Sequence, residues 1–297
     1  MNIVLLSRQP SLYANQRLME AANARNCQLT VVDPLHCQLI FDAGSVKLLH
    51  PGYQMSAFDS VIPRFGPIWQ RQGGNVLAHL QTLSMLSLNS ASALALVRDK
   101  AGCLRAINAH GVPIPKSASI ESLEHAKQFI PMHFDFPLLI KQNSSAQGRG
   151  VELMTDLASA LTRMEQLFEL NEPFLIQEYI HEACGIDLRL FVADQNVIAC
   201  MQRTAASGDF RANVHQGGSA MACEATAEEI ALAIKVAKLT GLDVAGVDIL
   251  RSKRGPLVLE INACPGFEAL EWVTGVDIAG EMLDLLISKQ KPEISGE

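Results

Sequence analysis

Residues 244–266, VAGVDILRSKRGPLVLEINACPG, constrain this chain more than any other stretch. Two apolar runs flank the polar Ser252-Lys253-Arg254-Gly255, whose closing Gly marks a turn. The pattern predicts a hairpin. Side chains alternate between the two faces of a strand, so Glu260 and Asn262 point the same way, and a hairpin brings Asp248 beside them from the facing strand. Three oxygen donors on one face, with apolar residues behind, suit a hard cation such as Mg²⁺, which prefers oxygen and leaves positions for water and phosphate. The same pattern fits a half-solvated strand whose polar face binds nothing. The rest of the chain has to choose between them.

With 297 residues and 48% hydrophobic content, the chain is long enough for two or three packed units. Aromatics are only 5%, so Leu, Ile, Val and Ala must fill the core. The 24 basic and 31 acidic residues leave a net charge of −7, which disfavours direct nucleic-acid binding through a basic surface. Met1-Asn2 leads straight into the short apolar run Ile3-Val4-Leu5-Leu6, unlike a signal peptide. The longest stretch free of Lys, Arg, Asp and Glu, residues 72–97, holds Asn75, His79, Gln81 and Asn89 and reads as no membrane span. Seven cysteines with no C-x-x-C pair are expected to be reduced thiols of a cytoplasmic protein.

Taken in order, residues 2–6, 28–32 and 60–63 read as strands, with helices over 15–25 and 75–86. This β-α-β order predicts a small parallel sheet. Ser7-Arg8-Gln9-Pro10 follows the first strand instead of G-x-G-x-x-G, so no dinucleotide site is expected there. Residues 98–110 read as a helix stopped by Gly111 and Pro113. Strands are expected over 136–141, 151–153 and 174–177, and a hairpin over 186–192 and 197–203. Thr226 and Glu229 form a capping box for a helix ending near Gly241, and a last helix is expected over 277–289.

Several residues in this second part can carry chemistry. The small, polar loop 143–150 can close over phosphates through backbone N–H groups. It lacks the Lys-Ser/Thr of a P-loop, and taken alone it reads more simply as a Gly-containing hairpin tip. Lys141 beside it can offset phosphate charge, or simply end a strand in solvent. Glu178-Tyr179-Ile180 offers the polar edge and apolar wall that an adenine site needs, as would an ordinary connecting segment. Asp187 and Arg189 share a strand face, with Arg203 on the paired strand. Convergent arginines favour carboxylate or phosphate, while an Asp187–Arg189 surface pair is the plainer alternative. Arg211-Ala212-Asn213 and His215 extend the cluster. No H-E-x-x-H, zinc-type Cys/His spacing or G-x-S-x-G appears, and the cysteines read as core residues.

Gln177-Glu178-Tyr179-Ile180, Gly185-Ile186-Asp187-Leu188-Arg189, Gly208-Asp209-Phe210-Arg211-Ala212-Asn213 and Asp243-Val244-Ala245-Gly246-Val247-Asp248-Ile249-Leu250 together resemble the ATP-grasp superfamily. Within it they are similar to the RimK-type glutamate ligases, and the resemblance covers nearly the whole chain. It implies an α/β N-terminal domain followed by an α+β ATP-grasp fold. The N-terminal domain spans 1–97, the two halves that grip ATP span 98–180 and 181–290, and 291–297 is a tail. The resemblance implies adenine at Glu178, Tyr179 and Ile180, and nucleotide contacts from Lys100, Lys141, Asp187, Arg211, Ala212 and Asn213. It implies two Mg²⁺ ions, Mn²⁺ being an alternative, with Asp248 and Glu260 on one and Glu260 and Asn262 on the other. Arg189 and Arg203 are the expected catalytic pair, holding the acyl phosphate and tetrahedral oxygens. The implied substrates are L-glutamate and the C-terminal carboxylate of a protein or peptide acceptor, a small-subunit ribosomal protein in that family. A homo-oligomer is left open. Residues 65–74 (FGPIWQRQGG), residues 142–146 and Cys264 depart from the family pattern. Rival readings are a ligase of the same core acting on a small acid or a pterin-linked glutamate, and a nucleotide-binding regulator without turnover.

Overall fold

The structure, a computed structural model, describes residues 1–143, 150–212 and 217–290. In the first sheet β1 (Asn2–Leu6) pairs in parallel with β2 (Gln28–Val32). A separate hairpin follows, β3 (Gln38–Asp42) and β4 (Ser45–Leu49), which the sequence reading did not anticipate. β5 (Ser60–Pro63) and the short β6 (Leu86–Ser87) complete a parallel sheet of order β2-β1-β5-β6. Ile3, Val4, Leu5 and Leu6 are all fully buried, which is why an apolar run without alternation makes the inner strand of a sheet covered on both faces.

Two expected helices differ in their bounds. The one placed at 75–86 runs Gln70–Thr82. Gly73 and Gly74 lie inside it, and a Cβ at Gly73 would come 2.7 Å from the Phe65 ring. The packing that the glycine permits outweighs its poor helix propensity. The one placed at 98–110 runs Lys100–Asn108, and a helix that the sequence reading did not anticipate, Ala91–Arg98, precedes it. Asp99 breaks the run because its side chain caps the second helix, accepting from Gly102 N at 3.1 Å.

The second sheet contains β7 (Ser117–Ser119), β8 (Leu138–Gln142), β9 (Val151–Met154) and β10 (Phe174–Glu178), antiparallel in the order β7-β10-β8-β9. The helices Leu123–His133 and Leu157–Glu169 cover one of its faces, burying Ile130, Met164 and Leu167 against Ile140 and Ile176.

The third sheet is antiparallel: β11 (Ile186–Ala193), β12 (Asn196–Thr204), β13 (Ser219–Ala222), β14 (Val244–Ser252) and β15 (Gly255–Asn262), in the order β13-β12-β11-β14-β15. The helix Ala227–Thr240 starts at the expected capping box and ends at Gly241 with φ 68°. Its Leu232, Ala233 and Val236 join Leu188, Leu190, Val247 and also Val4 and Leu6 of the first sheet in one apolar cluster. With that face of β11 committed to the core, strict alternation turns Asp187 and Arg189 to the other face. There Phe191 closes the apolar end by an edge-to-face contact with Phe267. Among the described residues no helix is long and apolar enough to cross a membrane.

Candidate active site

The polar face of the third sheet assembles by register. Asp187 lies opposite Arg203, Arg189 opposite Asp248, Asp248 opposite Glu260, and Gly246 opposite Asn262. Arg203 donates from Nε and Nη2 to the two oxygens of Asp187, each at 2.7 Å. Arg189 donates to Asp248 in the same forked way, at 2.8 and 2.7 Å. Arg203 Nη2 also stands 2.9 Å from Asp248 Oδ2, so four buried or half-buried charges form one chain, Asp187–Arg203–Asp248–Arg189. Pairing runs across the strands and not from Asp187 to Arg189, because directly opposed side chains have Cβ atoms about 4.5–5.5 Å apart, closer than positions i and i+2 along one strand.

Burial pushes Asp187 up to about 6, with the negative charge of Asp248 adding to the effect and Arg203 opposing it. Burial acts on Asp248 in the same sense, but Arg189 and Arg203 together hold it below the ordinary carboxylate range. The two carboxyls are thus driven apart by the number of guanidiniums each receives. Arg203 stays above its ordinary range; burial works against this, and Asp248 and Asp187 outweigh it.

The expected metal residues gather at the β14–β15 edge. Asp248 is almost fully buried, while the side chain of Glu260 is 43% exposed. Asn262 turns its amide nitrogen toward Asp248 Oδ2 at 3.5 Å. A β-bulge follows Asp248, and Gly246 leaves room for Pro265, which would meet a Cβ there at 2.8 Å. Two carboxylates and an amide on one face have the donor chemistry of an oxygen site for a hard cation. A carboxylate has about four lone-pair sites; Asp248 receives three guanidinium N–H groups and, at 3.5 Å, the Asn262 amide, so it is the most engaged of the three donors, and Glu260 keeps more to offer. The residues fit a divalent cation on those terms. No three His, Cys, Asp or Glu side chains converge among the described residues, in keeping with an amide as third donor.

Two lysines reach the same place from the other side. Lys141 of β8 is only 9% exposed. Among the described residues it has no carboxylate within 4.0 Å, and burial lowers it to about 8, with Glu260 opposing and Lys100 adding. Lys100 donates to Gln142 O at 2.9 Å and lies 4.0 Å from Glu260 Oε1; burial draws it down too, with Glu260 opposing. Both line a cleft with Val97, Val151, Leu175 and Ile261. A desolvated pair of ammonium groups beside a cation site is a place for an anion of high charge.

Glu178, Tyr179 and Ile180 leave β10 as expected. The Glu178 carboxylate is committed to the fold, accepting from Lys116 N at 2.6 Å and from Arg254. This leaves the apolar wall to Tyr179 and the buried Ile180. The Tyr179 ring meets Phe210 edge-on at 6.2 Å, which brings the segment against Arg211 and the buried Ala212. Arg211 folds onto Asp209, with Nε–Oδ1 3.0 Å and Nη2–Oδ2 2.9 Å. Asn213 and His215, like Gly148 and Arg149 of the expected phosphate loop and the tail 291–297, lie outside the described residues.

Two arginines escaped the sequence reading. Arg64 and Arg98 flank Cys264, just beyond Asn262. The available signal was position: Arg64 follows Pro63 at the carboxyl end of a parallel strand, where open α/β sheets bind ligands.

Residues 97–286 match the family described as RimK-like ATP-grasp domain, and residues 1–94 match the RimK PreATP-grasp domain. A protein of Aeromonas salmonicida (strain A449) named "Probable alpha-L-glutamate ligase" is 39% identical over 286 residues, covering 96% of both chains. One of Legionella pneumophila (strain Corby) with the same name is 38% identical over 293 residues, covering 98% of this chain and 97% of that one. Among solved structures, a RimK domain protein ATP-grasp from Sphaerobacter thermophilus DSM 20745 superposes with a TM-score of 0.76 at 23% identity, covering 96% of this chain and 99% of that one. The ATP-grasp ligase PsnB, complexed with minimal precursor, Mg and ADP, superposes with a TM-score of 0.72 at 22% identity, covering 97% of this chain and 98% of that one.

Proposed function

Because this chain belongs to the RimK-like ATP-grasp family, we propose that it is an ATP-dependent α-L-glutamate ligase, joining the amine of L-glutamate to the C-terminal carboxylate of a protein or peptide. The observation that carries the reading is the buried Lys141, with Lys100 beside it, facing Glu260 and Asp248 without a carboxylate partner of its own among the described residues.

A carboxylate is a poor acyl donor because its leaving group would be oxide. Attack of the acceptor carboxylate on the γ-phosphate of ATP forms an acyl phosphate and releases ADP. The glutamate amine then attacks the acyl carbon, and phosphate leaves. We assign Lys100 and Lys141 to the phosphates, where a fixed cation offsets charge as it moves to the transferring group. Tyr179, Ile180, Asp187, Arg211, Ala212 and Asn213 hold the nucleoside end, with Glu178 contributing through its backbone. Asp248, Glu260 and Asn262 would hold Mg²⁺, one ion or two, which would supply positive charge to neutralise phosphate oxygens, and Mn²⁺ would suit the same donors. Arg189, at the end of the ion-pair chain, and Arg203, between its two carboxylates, stabilise the acyl centre.

The reading extends to a small-subunit ribosomal protein as acceptor, in line with the sequence resemblance. ATP and glutamate supplied with a panel of peptides that differ at the C-terminus should give masses raised by whole glutamyl units, with ADP and phosphate as co-products. AMP and pyrophosphate would overturn the acyl phosphate. Turnover only with free small acids would replace the protein acceptor, and ADP release indifferent to glutamate and acceptor would replace the ligase reading altogether.

A further inference from the structure

Resting on the ligase reading, we propose that Arg64 and Arg98 form a subsite for a substrate carboxylate, that of the incoming amino acid or of the acceptor end. Arg64 Nη1 donates to Pro265 O at 2.8 Å, and its guanidinium lies 5.6 Å from the Phe267 ring centroid. Arg98 donates to Phe65 O and Gln70 Oε1, approaches Cys264 Sγ at 3.5 Å and covers the Phe65 ring at 4.8 Å. Every one of these partners is neutral. Arg189, Arg203 and Arg211 each pair with a carboxylate, yet neither Arg64 nor Arg98 has one within 4.0 Å among the described residues.

Burial draws both guanidiniums below their ordinary range, with Cys264 opposing, and among the described residues no carboxylate stands within 4.0 Å to offset the lost hydration. Among the described residues the Arg64 guanidinium makes one hydrogen bond, to Pro265 O. The pair borders the metal edge directly, since Cys264 is two residues past Asn262 and Pro265 packs over Gly246, opposite Asn262. Lys100 and Lys141 serve the Glu260 end of that edge; the two arginines serve the Asn262 end. A guanidinium takes a carboxylate by two parallel N–H···O bonds, and glutamate brings two carboxylates.

The test is Arg64→Gln, which keeps a donor and removes the charge. With an acceptor peptide that the parent extends, KM for glutamate or KM for that peptide should rise at least about tenfold, as expected for a lost charged hydrogen bond, while ATP affinity and thermal unfolding stay near the parent. The KM that rises identifies the source of the carboxylate. Both KM values near the parent, or a fall in kcat alone, overturn the subsite and leave a strut between domains. Should Arg64→Gln not fold, Arg98→Gln must show the KM change, and parental values there overturn the proposal. A parent that ligates no peptide fails the ligase reading itself.

Cys200 of β12 and Cys223, one residue past β13, face each other with Sγ atoms 3.1 Å apart. Cys223 N donates to Cys200 O at 3.3 Å, so the two are directly opposed. Opposed residues of antiparallel strands have Cα atoms about 4.5–5.5 Å apart, inside the range of about 4.4–6.8 Å that disulfides span. We infer that the pair is an oxidative modification site that closes into a disulfide with peroxide as oxidant. The more accessible Cys223 attacks the peroxide, the O–O bond breaks, and Cys223 becomes a sulfenic acid. Cys200 sulfur then attacks that sulfur, the S–O bond breaks, and two thiols have lost two electrons and two protons while peroxide becomes two waters. The bond would tie β12 to the chain leaving β13, four pairs from the connection that carries Arg211.

Limited peroxide should remove two hydrogens in intact mass, lower the seven maleimide-reactive thiols by two, and yield a Cys200–Cys223 peptide that dithiothreitol dissolves. The oxidised protein should melt at a higher temperature. A Cys223→Ser variant should retain both hydrogens. Oxidation of the exposed Cys184 with no Cys200–Cys223 peptide would overturn the assignment.

Discussion

Glu260→Gln is expected to lower ligation by at least about a hundredfold, comparable to losing one strong transition-state electrostatic contact. The substitution keeps size and one oxygen acceptor but removes a charge that three features use together. Glu260 faces Asp248 across the hairpin, lies 4.0 Å from Lys100, and is the carboxylate that opposes the lowering of Lys141 by burial. With 43% of the side chain exposed, folding should change little. Tyr179 and Ile180 lie on another strand end, so nucleotide binding should persist in part. Added Mg²⁺ should rescue the rate only partly, since a neutral amide bridges two cations poorly. Ligation rate against Mg²⁺ concentration, ATP affinity and thermal unfolding without ligand are the measurements. Near-parental ligation at ordinary Mg²⁺ removes the metal assignment, and an unfolded variant makes the edge a structural one.

Arg203→Ala is expected to cost stability as well as ligation, by about 3–5 kcal/mol, the range for removing one partner of a buried ion pair. It leaves Asp187 without its forked donor and Asp248 with Arg189 alone. Asp187 already sits near 6 in the parent, above its ordinary 3.8, and losing Arg203 drives it higher. A carboxyl raised on folding contributes stability that is fully present below the unfolded value and lost as pH rises through the folded one. The deficit of the variant should therefore grow as pH rises above about 6 and shrink as pH falls toward about 6, below which Asp187 is protonated in both folded proteins. Asp187→Asn in the same chain should restore part of the loss, with a coupling above about 0.5 kcal/mol in a double-mutant cycle. Urea unfolding of the four proteins at two pH values checks both statements. Additive losses with no pH dependence would mean that the charge chain is not a stabilising unit.

Much of the site was legible before any coordinates. Period-2 alternation, one polar connection ending in Gly255 and the capping box at Thr226 and Glu229 are local signals, and each produced the expected element. Once the hairpin was recognised, Asp248, Glu260 and Asn262 had to share a face, because alternation leaves no other choice. Elements whose bounds were misjudged are those decided by particular side-chain contacts that the hydrophobic pattern does not show. The helix Gln70–Thr82 tolerates Gly73 because Phe65 needs the space, and the break at Asp99 is a capping contact that competes with continued helix.

Sequence by itself determined most of the site-bearing strands, the face of each that turns toward the site, and the family. Only the tertiary structure decided which charges meet. Strand order put Arg203 on both Asp187 and Asp248, set Lys100 and Lys141 against Glu260, and left Arg64 and Arg98 beside Cys264 with neutral partners alone. The reason is physical: alternation is a property of a few neighbouring residues, whereas the free energy of a buried charge depends on every group within a few ångströms, most of them distant in sequence.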